Sequence, residues 1–352
     1  MEYGNVTQVH FEPTQGCNAS CPMCDRNVNG GEVNHHLTNA TWSYTDFVNS
    51  IDPEFIEQLD FFYSCGNHGD PILCNDLIYI YEWMKRINPS LRILTTTNGG
   101  ARSTQWWDDL AGLSEVNFSV DGLEDTNHLY RQGVNWKKVE ENMATFCDAG
   151  GMAKWTFLVF RHNEHQVEDA RKWSKVLGVK DFIVKKSGRY INTATLTEKT
   201  GHQAQNKKGE LKQYLEQPLD DKYKNKELPK FARIEKTYGS FDKYLEVCDI
   251  DCKALKKKEI YISAEGYTFP CCWLAGQPYK WWRKQKEGDV HEMIGDYDLI
   301  NVKKTPLKQI VKGGFFNRVQ ASWSKDRLKT CALKCNSYYD PFTAQCSKVF
   351  AD

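Results

Sequence analysis

Six short segments rich in apolar, β-branched and aromatic residues alternate with stretches of helical period over the first half of the chain. The strand-like segments are residues 6–11, 59–64, 91–96, 115–120, 153–160 and 181–186. Helical period fills residues 45–57, 75–87, 104–113, 136–149 and 164–177 between them. A strand followed by a helix and another strand closes most readily as a right-handed parallel crossover, so the pattern dictates an α/β fold on a parallel sheet. Six strands fall short of the eight of a closed barrel, and the expected architecture is a partial (β/α)6 barrel over residues 1–190. Ligands of such sheets gather at the carboxyl ends of the strands. Residues 191–244 are lysine-rich, broken by Gly201, Pro218 and Pro229, and read as a polar linker with one exposed helix. A smaller domain is expected over residues 245–352.

Lysine plus arginine equal aspartate plus glutamate at 46 each, so bulk charge gives no nucleic-acid footprint. Every apolar run is broken by polar residues before it could span a bilayer. The opening Met1-Glu2-Tyr3-Gly4-Asn5 lacks the basic-then-apolar build of a secretion signal, so no membrane partner and a cytoplasmic location are expected. Thirteen cysteines, an odd number without a secretion signal, read as metal or redox sites rather than a disulfide framework. They cluster near both ends, while Cys65, Cys74 and Cys147 between the clusters read as buried packing.

The first cluster, Cys17-Asn18-Ala19-Ser20-Cys21-Pro22-Met23-Cys24, places three thiols in eight residues directly after the first strand. A structural zinc site takes four protein ligands, which His35 or His36 could complete. Without a fourth, three cysteines leave one coordination position open. The spacing resembles that of the radical S-adenosylmethionine (SAM) superfamily. The resemblance implies a 4Fe-4S cluster on Cys17, Cys21 and Cys24, with SAM chelating the remaining iron. It also implies reductive cleavage of SAM to a 5′-deoxyadenosyl radical, which takes hydrogen from a substrate. Met23 stands where the family usually has an aromatic residue, a contact with SAM made largely by backbone. Further motifs follow in the family's order. Gly69-Asp70-Pro71 resembles the Gly-Glu-Pro turn that receives the SAM amino group. Asn98 follows the third strand, and Ser119 and Asp121 end the fourth, where relatives bind the ribose. Arg161, after the fifth strand, corresponds to positions near the SAM carboxylate or ribose.

The second cluster resembles the SPASM/twitch extension of the same superfamily. A strand at 258–263 and the turn Ala264-Glu265-Gly266 precede Pro270-Cys271-Cys272, and Cys331 and Cys335 close the motif. The additional Cys-x-x-Cys pair of a complete SPASM domain is absent. The resemblance therefore implies the twitch form, with one auxiliary 4Fe-4S cluster on Cys252, Cys271, Cys331 and Cys335. Cys248 and Cys346 are reserve ligands, and Cys272 stands beside the site. A structural zinc on the same four cysteines is the plain alternative.

The resulting expectation is a radical SAM enzyme acting on a peptide or protein side chain or a small metabolite. An electron donor such as flavodoxin or ferredoxin is the implied partner. No leader-binding extension precedes the first strand, which counts against a peptide. RNA or nucleotide modification is the alternative, prompted by Tyr279-Lys280-Trp281-Trp282-Arg283-Lys284-Gln285-Lys286, where cations interleave aromatics as in stacking platforms. The expected reading of that stretch is nevertheless a solvated hairpin over packed aromatics, so nucleic acid is not the favoured partner. A non-catalytic metal-binding interaction protein is a remote third reading. No catalytic acid or base is singled out by spacing.

Overall fold

The computed structural model describes residues 1–192, 197–225, 228–338 and 346–351. The six expected strands form as β1 (Gln8–Phe11), β2 (Phe61–Ser64), β3 (Arg92–Thr97), β4 (Glu115–Ser119), β5 (Ala153–Leu158) and β6 (Asp181–Lys185). They pair in parallel and in sequence order, with Val9 opposite Phe62, Phe62 opposite Ile93, Phe118 opposite Trp155 and Trp155 opposite Phe182. All six carboxyl ends therefore lie along one edge. The intervening helices are α1 (Tyr44–Ser50), α2 (Pro53–Glu57), α3 (Leu77–Ile87), α4 (Thr104–Ala111), α5 (Asn127–Tyr130), α6 (Trp136–Asp148) and α7 (Val167–Val176). Ser43, Ser103 and Asn135 cap α1, α4 and α6 by accepting from the amides of Asp46, Trp106 and Lys138. The single helix expected over 45–57 is broken in two because Pro53 opens α2 and forces the residue before it out of helical conformation.

Strand alternation separates two faces. Val9, Phe11, Phe62, Ile93, Val116, Phe118, Trp155, Phe157, Phe182 and Val184 are all buried in the hydrophobic core. Each such side chain contributes about 1.5–3 kcal/mol of burial. The opposite face carries a hydrogen-bonded row across four strands. Tyr63 donates to Thr96 Oγ1 at 3.2 Å, Asn117 Nδ2 donates to the same oxygen at 3.2 Å, and Thr156 donates to Asn117 Oδ1 at 2.7 Å. A face with such a row is suited to line a polar chamber.

The sheet continues at both ends. Glu259–Ile262 pairs in parallel with β1, and Thr268–Phe269 returns antiparallel to it as the expected hairpin. Cys346–Ala351 pairs antiparallel with β6 and closes the other edge, giving nine strands among the described residues. Both ends of the 245–352 segment are thus built into the central sheet. The 191–244 stretch holds more order than a linker: a hairpin of Gly201–Gln205 and Leu211–Glu216, then helices Leu228–Tyr238 and Phe241–Val247. The hairpin docks on the first cysteine loop, with His202 Nε2 on Pro22 O at 3.0 Å and Gln205 N on Asn29 O at 2.8 Å. No described helix is long and apolar enough to cross a membrane.

Candidate SAM and iron–sulfur sites

The loop leaving β1 is pinned before its first cysteine. Gln15 Oε1 accepts from the amides of Thr38 and Ala40 at 3.0 and 3.2 Å, and Arg26 Nε donates to Gln15 O at 3.0 Å. The loop after β2 closes on it, with Asp70 N on Gly16 O at 2.8 Å. The two backbones approach so closely that a Cβ on Gly69 would lie 1.8 Å from Thr14 O, which explains the glycine by packing alone. Cys17, Cys21 and Cys24 converge here, since the charges of Cys21 and Cys24 both bear on Cys17. Burial pushes all three thiols up, Cys21 to about 11. Two donors face the sulfurs, Asn98 Nδ2 at 3.9 Å from Cys17 and Arg131 Nη1 at 3.8 Å from Cys21.

The expected SAM contacts divide into two groups. Asp70 is buried, and its carboxylate accepts from Asn98 N at 2.8 Å and Ile72 N at 3.3 Å, joining the β2 and β3 loops. Burial raises its pKa despite these bonds. Asn98 also donates to Asn18 Oδ1 at 2.8 Å, so Asp70, Asn98 and the first cysteine stand together. Met23 is buried among the core side chains, and Ser119 is half-buried at the end of β4. Asp121 and Arg161 are occupied elsewhere. Asp121 is fully buried, with Oδ2 2.6 Å from Arg131 Nε and Oδ1 accepting from Leu158 N at 2.7 Å. Arg161 is an exposed ion pair with Glu216, Nη1 to Oε1 2.6 Å, facing the 201–216 hairpin.

Cys252, Cys271, Cys331 and Cys335 form a second convergent set. The charges of Cys252 and Cys331 bear on Cys271, and those of Cys252 and Cys271 on Cys335. Cys252 is paired with the Cys335 thiol, and its sulfur also faces the amides of Leu255 and Ala254 at the start of helix Lys253–Lys257, which together hold Cys252 below the usual thiol range. Cys272 turns the other way, toward Cys65 and Glu259. Cys248 lies in a separate apolar cluster with Ile234, Phe241, Tyr244 and Leu245, beside a surface cavity of about 380 Å³ that none of the other proposed site residues lines. Cys346 opens the edge strand in register with Lys185. All twelve cysteines with described side chains are free. Among the described residues no three His, Cys, Asp or Glu side chains are preformed to hold a single metal ion.

Both donor sets fit iron–sulfur clusters. In the first set, thiols raised by burial beside the aimed donors of Asn98 and Arg131 suit sulfurs that become charged when metal binds, because metal displaces their protons, and in the second Cys252 is already held low. His35 and His36 are directed away, both ring Nε2 atoms lying 3.0 Å from Arg283 O. The aromatic and basic stretch packs down rather than outward for the most part. Tyr279 is buried, and Lys286 sits over Tyr279, Tyr267 and Tyr297 at 4.5, 5.9 and 5.6 Å, while Trp282 is exposed.

Several polar side chains near the cysteines carried no sequence signal. Glu12, almost fully buried, accepts from His68 N at 2.6 Å and Tyr261 OH at 2.7 Å. Burial opposes its charge, yet the bonds from His68 and Tyr261 outweigh that and lower its pKa. A charged residue immediately after a strand end was the available clue. Arg131, from the turn after α5, bridges Asp121 and Cys21. Arg189, just past β6, is exposed and donates to Tyr130 OH at 3.2 Å. Lys280 pairs with Asp25 at 2.8 Å, and burial with the like charges of Lys280 and Arg189 pulls Lys334 down to about 7.

Residues 252–336 match the SPASM family, an iron–sulfur cluster-binding domain. Solved structures resemble the whole chain. Native anSMEcpe with bound AdoMet aligns at TM-score 0.56 and 16% identity, covering 95% of this chain and 93% of that one. Native anSMEcpe with bound AdoMet and Cp18Cys peptide gives 0.55 and 16%, covering 95% and 92%. Streptococcus suis SuiB bound to S-adenosylmethionine gives 0.52 and 13%, covering 93% and 72%. At these identities the likeness is one of fold. No curated protein matches by sequence. The chain thus has the α/β fold of the radical SAM enzymes. Its C-terminal part carries a SPASM domain.

Proposed function

We propose that the protein is a radical SAM enzyme whose substrate, a peptide or protein side chain or a small metabolite, lies between the two cysteine sets. What supports this is that Cys17, Cys21 and Cys24 lie with Asp70 and Asn98 at the carboxyl ends of β1–β3, and that four further cysteines gather within residues 252–336, which match the SPASM model. A 4Fe-4S cluster held by Cys17, Cys21 and Cys24 would supply the electron that cleaves bound SAM to methionine and a 5′-deoxyadenosyl radical, which abstracts hydrogen. Cys252, Cys271, Cys331 and Cys335 would hold a fully ligated auxiliary cluster suited to accept an electron. A flavodoxin or ferredoxin is the proposed donor, and the twelve free cysteines among the described residues suit the reducing cytoplasm.

The chain's own residues supply position and polarity. Asp70, held by Asn98 N and Ile72 N, presents its remaining lone pairs to the SAM amino group. Ser119, at the end of β4, would meet the ribose. Asp121 acts through Arg131, which it orients against Cys21. Glu12 stays ionised and fixes Tyr261 and the His68 backbone on the chamber wall. Solved neighbours carrying the Cp18Cys peptide and, for SuiB, the precursor peptide SuiA support a peptide within the proposed substrate range.

The test is anaerobic reconstitution, dithionite reduction and chromatographic assay of 5′-deoxyadenosine. Wild type should form it slowly without substrate, and Cys24→Ala should form none. Zinc in place of iron, or 5′-deoxyadenosine formation unchanged in Cys24→Ala, would overturn the reading.

A further inference from the structure

Resting on that reading, we infer that the substrate carries an alkylammonium group and seats it in a cage of Tyr267, Tyr279 and Tyr297. The chain's own Lys286 occupies that cage in this structure. Its Nζ lies 4.5 Å from the ring centre of Tyr279, 5.6 Å from that of Tyr297 and 5.9 Å from that of Tyr267. Aromatic faces carry the negative part of the ring quadrupole, so several rings around one point make a site for a cation. Tyr267 and Tyr297 meet edge to face with centroids 5.0 Å apart. Glu265 adds a carboxylate to the cage wall, accepting from Tyr279 OH and from Thr38 Oγ1 at 3.0 Å. Among the described residues no ion pair or hydrogen bond of the Lys286 ammonium accompanies its ring contacts.

The walls are held without help from the lysine. Tyr279 is buried, with its hydroxyl on Glu265 and its carbonyl accepting from Asn34 Nδ2 at 2.7 Å. Tyr297 OH lies 3.0 Å from His291 Nδ1. Tyr267 N donates to Ser263 Oγ at 3.0 Å, and Ser263 N donates to Tyr267 O at 2.9 Å. The backbone around Lys286 is fixed by Arg283, whose Nη1 donates to Gln277 O at 3.2 Å and to Glu287 O. Lys286 can therefore vacate the cage by rotating its own flexible stem, with neither loop nor walls moving. While it stays, it competes with any incoming ammonium as a tethered copy of the ligand. The cage also adjoins the polar chamber. The rings of Tyr279 and His68 are 5.0 Å apart, and the His68 amide donates to Glu12 at 2.6 Å in the loop that carries Asp70. The occupant names the chemistry, since an alkyl chain ending in an ammonium fits where Lys286 fits.

The experiment titrates Nα-acetyl-lysine methylamide into anaerobically reconstituted enzyme with SAM, by calorimetry at constant ionic strength. Nα-acetyl-norleucine methylamide, which lacks only the ammonium, is the control. Lys286→Ala should bind the lysine probe roughly tenfold more tightly than wild type, because the competing occupant is gone. In that background Tyr297→Leu should weaken the probe roughly fivefold, while Tyr297→Phe, which keeps the ring, should retain most of the affinity. Absence of saturable binding to Lys286→Ala overturns the inference, as does an affinity there no higher than in wild type. Equal binding of the norleucine probe, or full affinity after Tyr297→Leu, overturns it as well. Formation of 5′-deoxyadenosine under dithionite is read separately in the same preparations. A protein that forms it but binds no lysine probe sinks this inference alone. One whose opened cage binds the probe but leaves SAM intact sinks the enzymatic reading and leaves the cage a cation site.

Discussion

Replacing Arg131 by methionine would strip Asp121 of its counter-charge at a site with no access to water. Asp121 is 0% exposed, and its two oxygens are held by Arg131 Nε at 2.6 Å and Leu158 N at 2.7 Å. Removing one member of a buried pair typically costs about 3–5 kcal/mol. Here the Leu158 amide remains and Arg131 is a fifth exposed, which favours the lower end, about 3 kcal/mol. In a chain of 352 residues that corresponds to a fall of about 4 °C in Tm.

The loss should also depend on pH. Burial raises the Asp121 pKa more than Arg131 lowers it, and removing Arg131 raises it further. A carboxyl whose folded pKa exceeds its unfolded value binds its proton more tightly in the folded state. That contribution is present in acid and is lost as pH rises through the folded pKa. The variant's deficit should therefore shrink as pH falls from neutral toward the ordinary carboxylate range. The assay is thermal unfolding of anaerobically reconstituted protein, with iron measured alongside because Arg131 also approaches Cys21. Asp121→Asn in the Arg131→Met background removes the stranded charge and should recover part of the loss, a coupling that a double-mutant cycle measures. A deficit independent of pH, with no recovery in the double variant, would refute the reasoning.

Gly69→Ala should cost about 3 kcal/mol and lower iron at the first set, because its Cβ would meet the Thr14 carbonyl, whereas Gly112→Ala, with nothing within 4 Å, should be near neutral in the same thermal assay. His162 is held near a pKa of about 4 by burial and by His128 and His165, with Nε2 lacking a partner among the described residues. The unfolded chain then takes up a proton first as pH falls below the ordinary histidine value, so stability should drop by about 2 kcal/mol from about pH 7 to pH 5, and His162→Gln should flatten that slope in denaturant titrations. Cys271→Ala should lose about half the iron and keep uncoupled SAM cleavage, while Cys248→Ala, outside the second set, should keep its iron content.

The sheet strands were legible because alternation on a half-buried strand is a local property. The six segments fall within two residues of β1–β6 at each end. Both cysteine sets were legible for a related reason, since sulfur spacing survives without knowledge of the partner strand. The parallel pairing of Glu259–Ile262 with β1 was not, because its hydrogen bonds join residues some 250 positions apart. Asp121 shows the limit at a single residue. A carboxylate at a strand end looks like a ligand, and only the fold reveals that Arg131, ten residues on, takes its charge.

That long-range pairing also decides how the two cysteine sets relate. Cys271 and Cys272 are adjacent, at the junction of an extended residue and a short helix, and face opposite ways: one toward Cys252 and Cys331, the other toward Cys65 and Glu259. Asn67, in the loop that also carries Asp70, donates to Cys272 O at 2.8 Å. On the other side Glu12 N donates to Ile262 O at 2.9 Å, and Glu12 receives Tyr261 OH at 2.7 Å, just ahead of Cys17. Each set is therefore fixed to the other through backbone carbonyls and a shared sheet register rather than across a flexible tether. Sliding one set would require breaking the β1 pairing, since a shift of one residue would turn Tyr261 from the chamber to the opposite face. The relation between the two sets is thus tied to the register of the sheet.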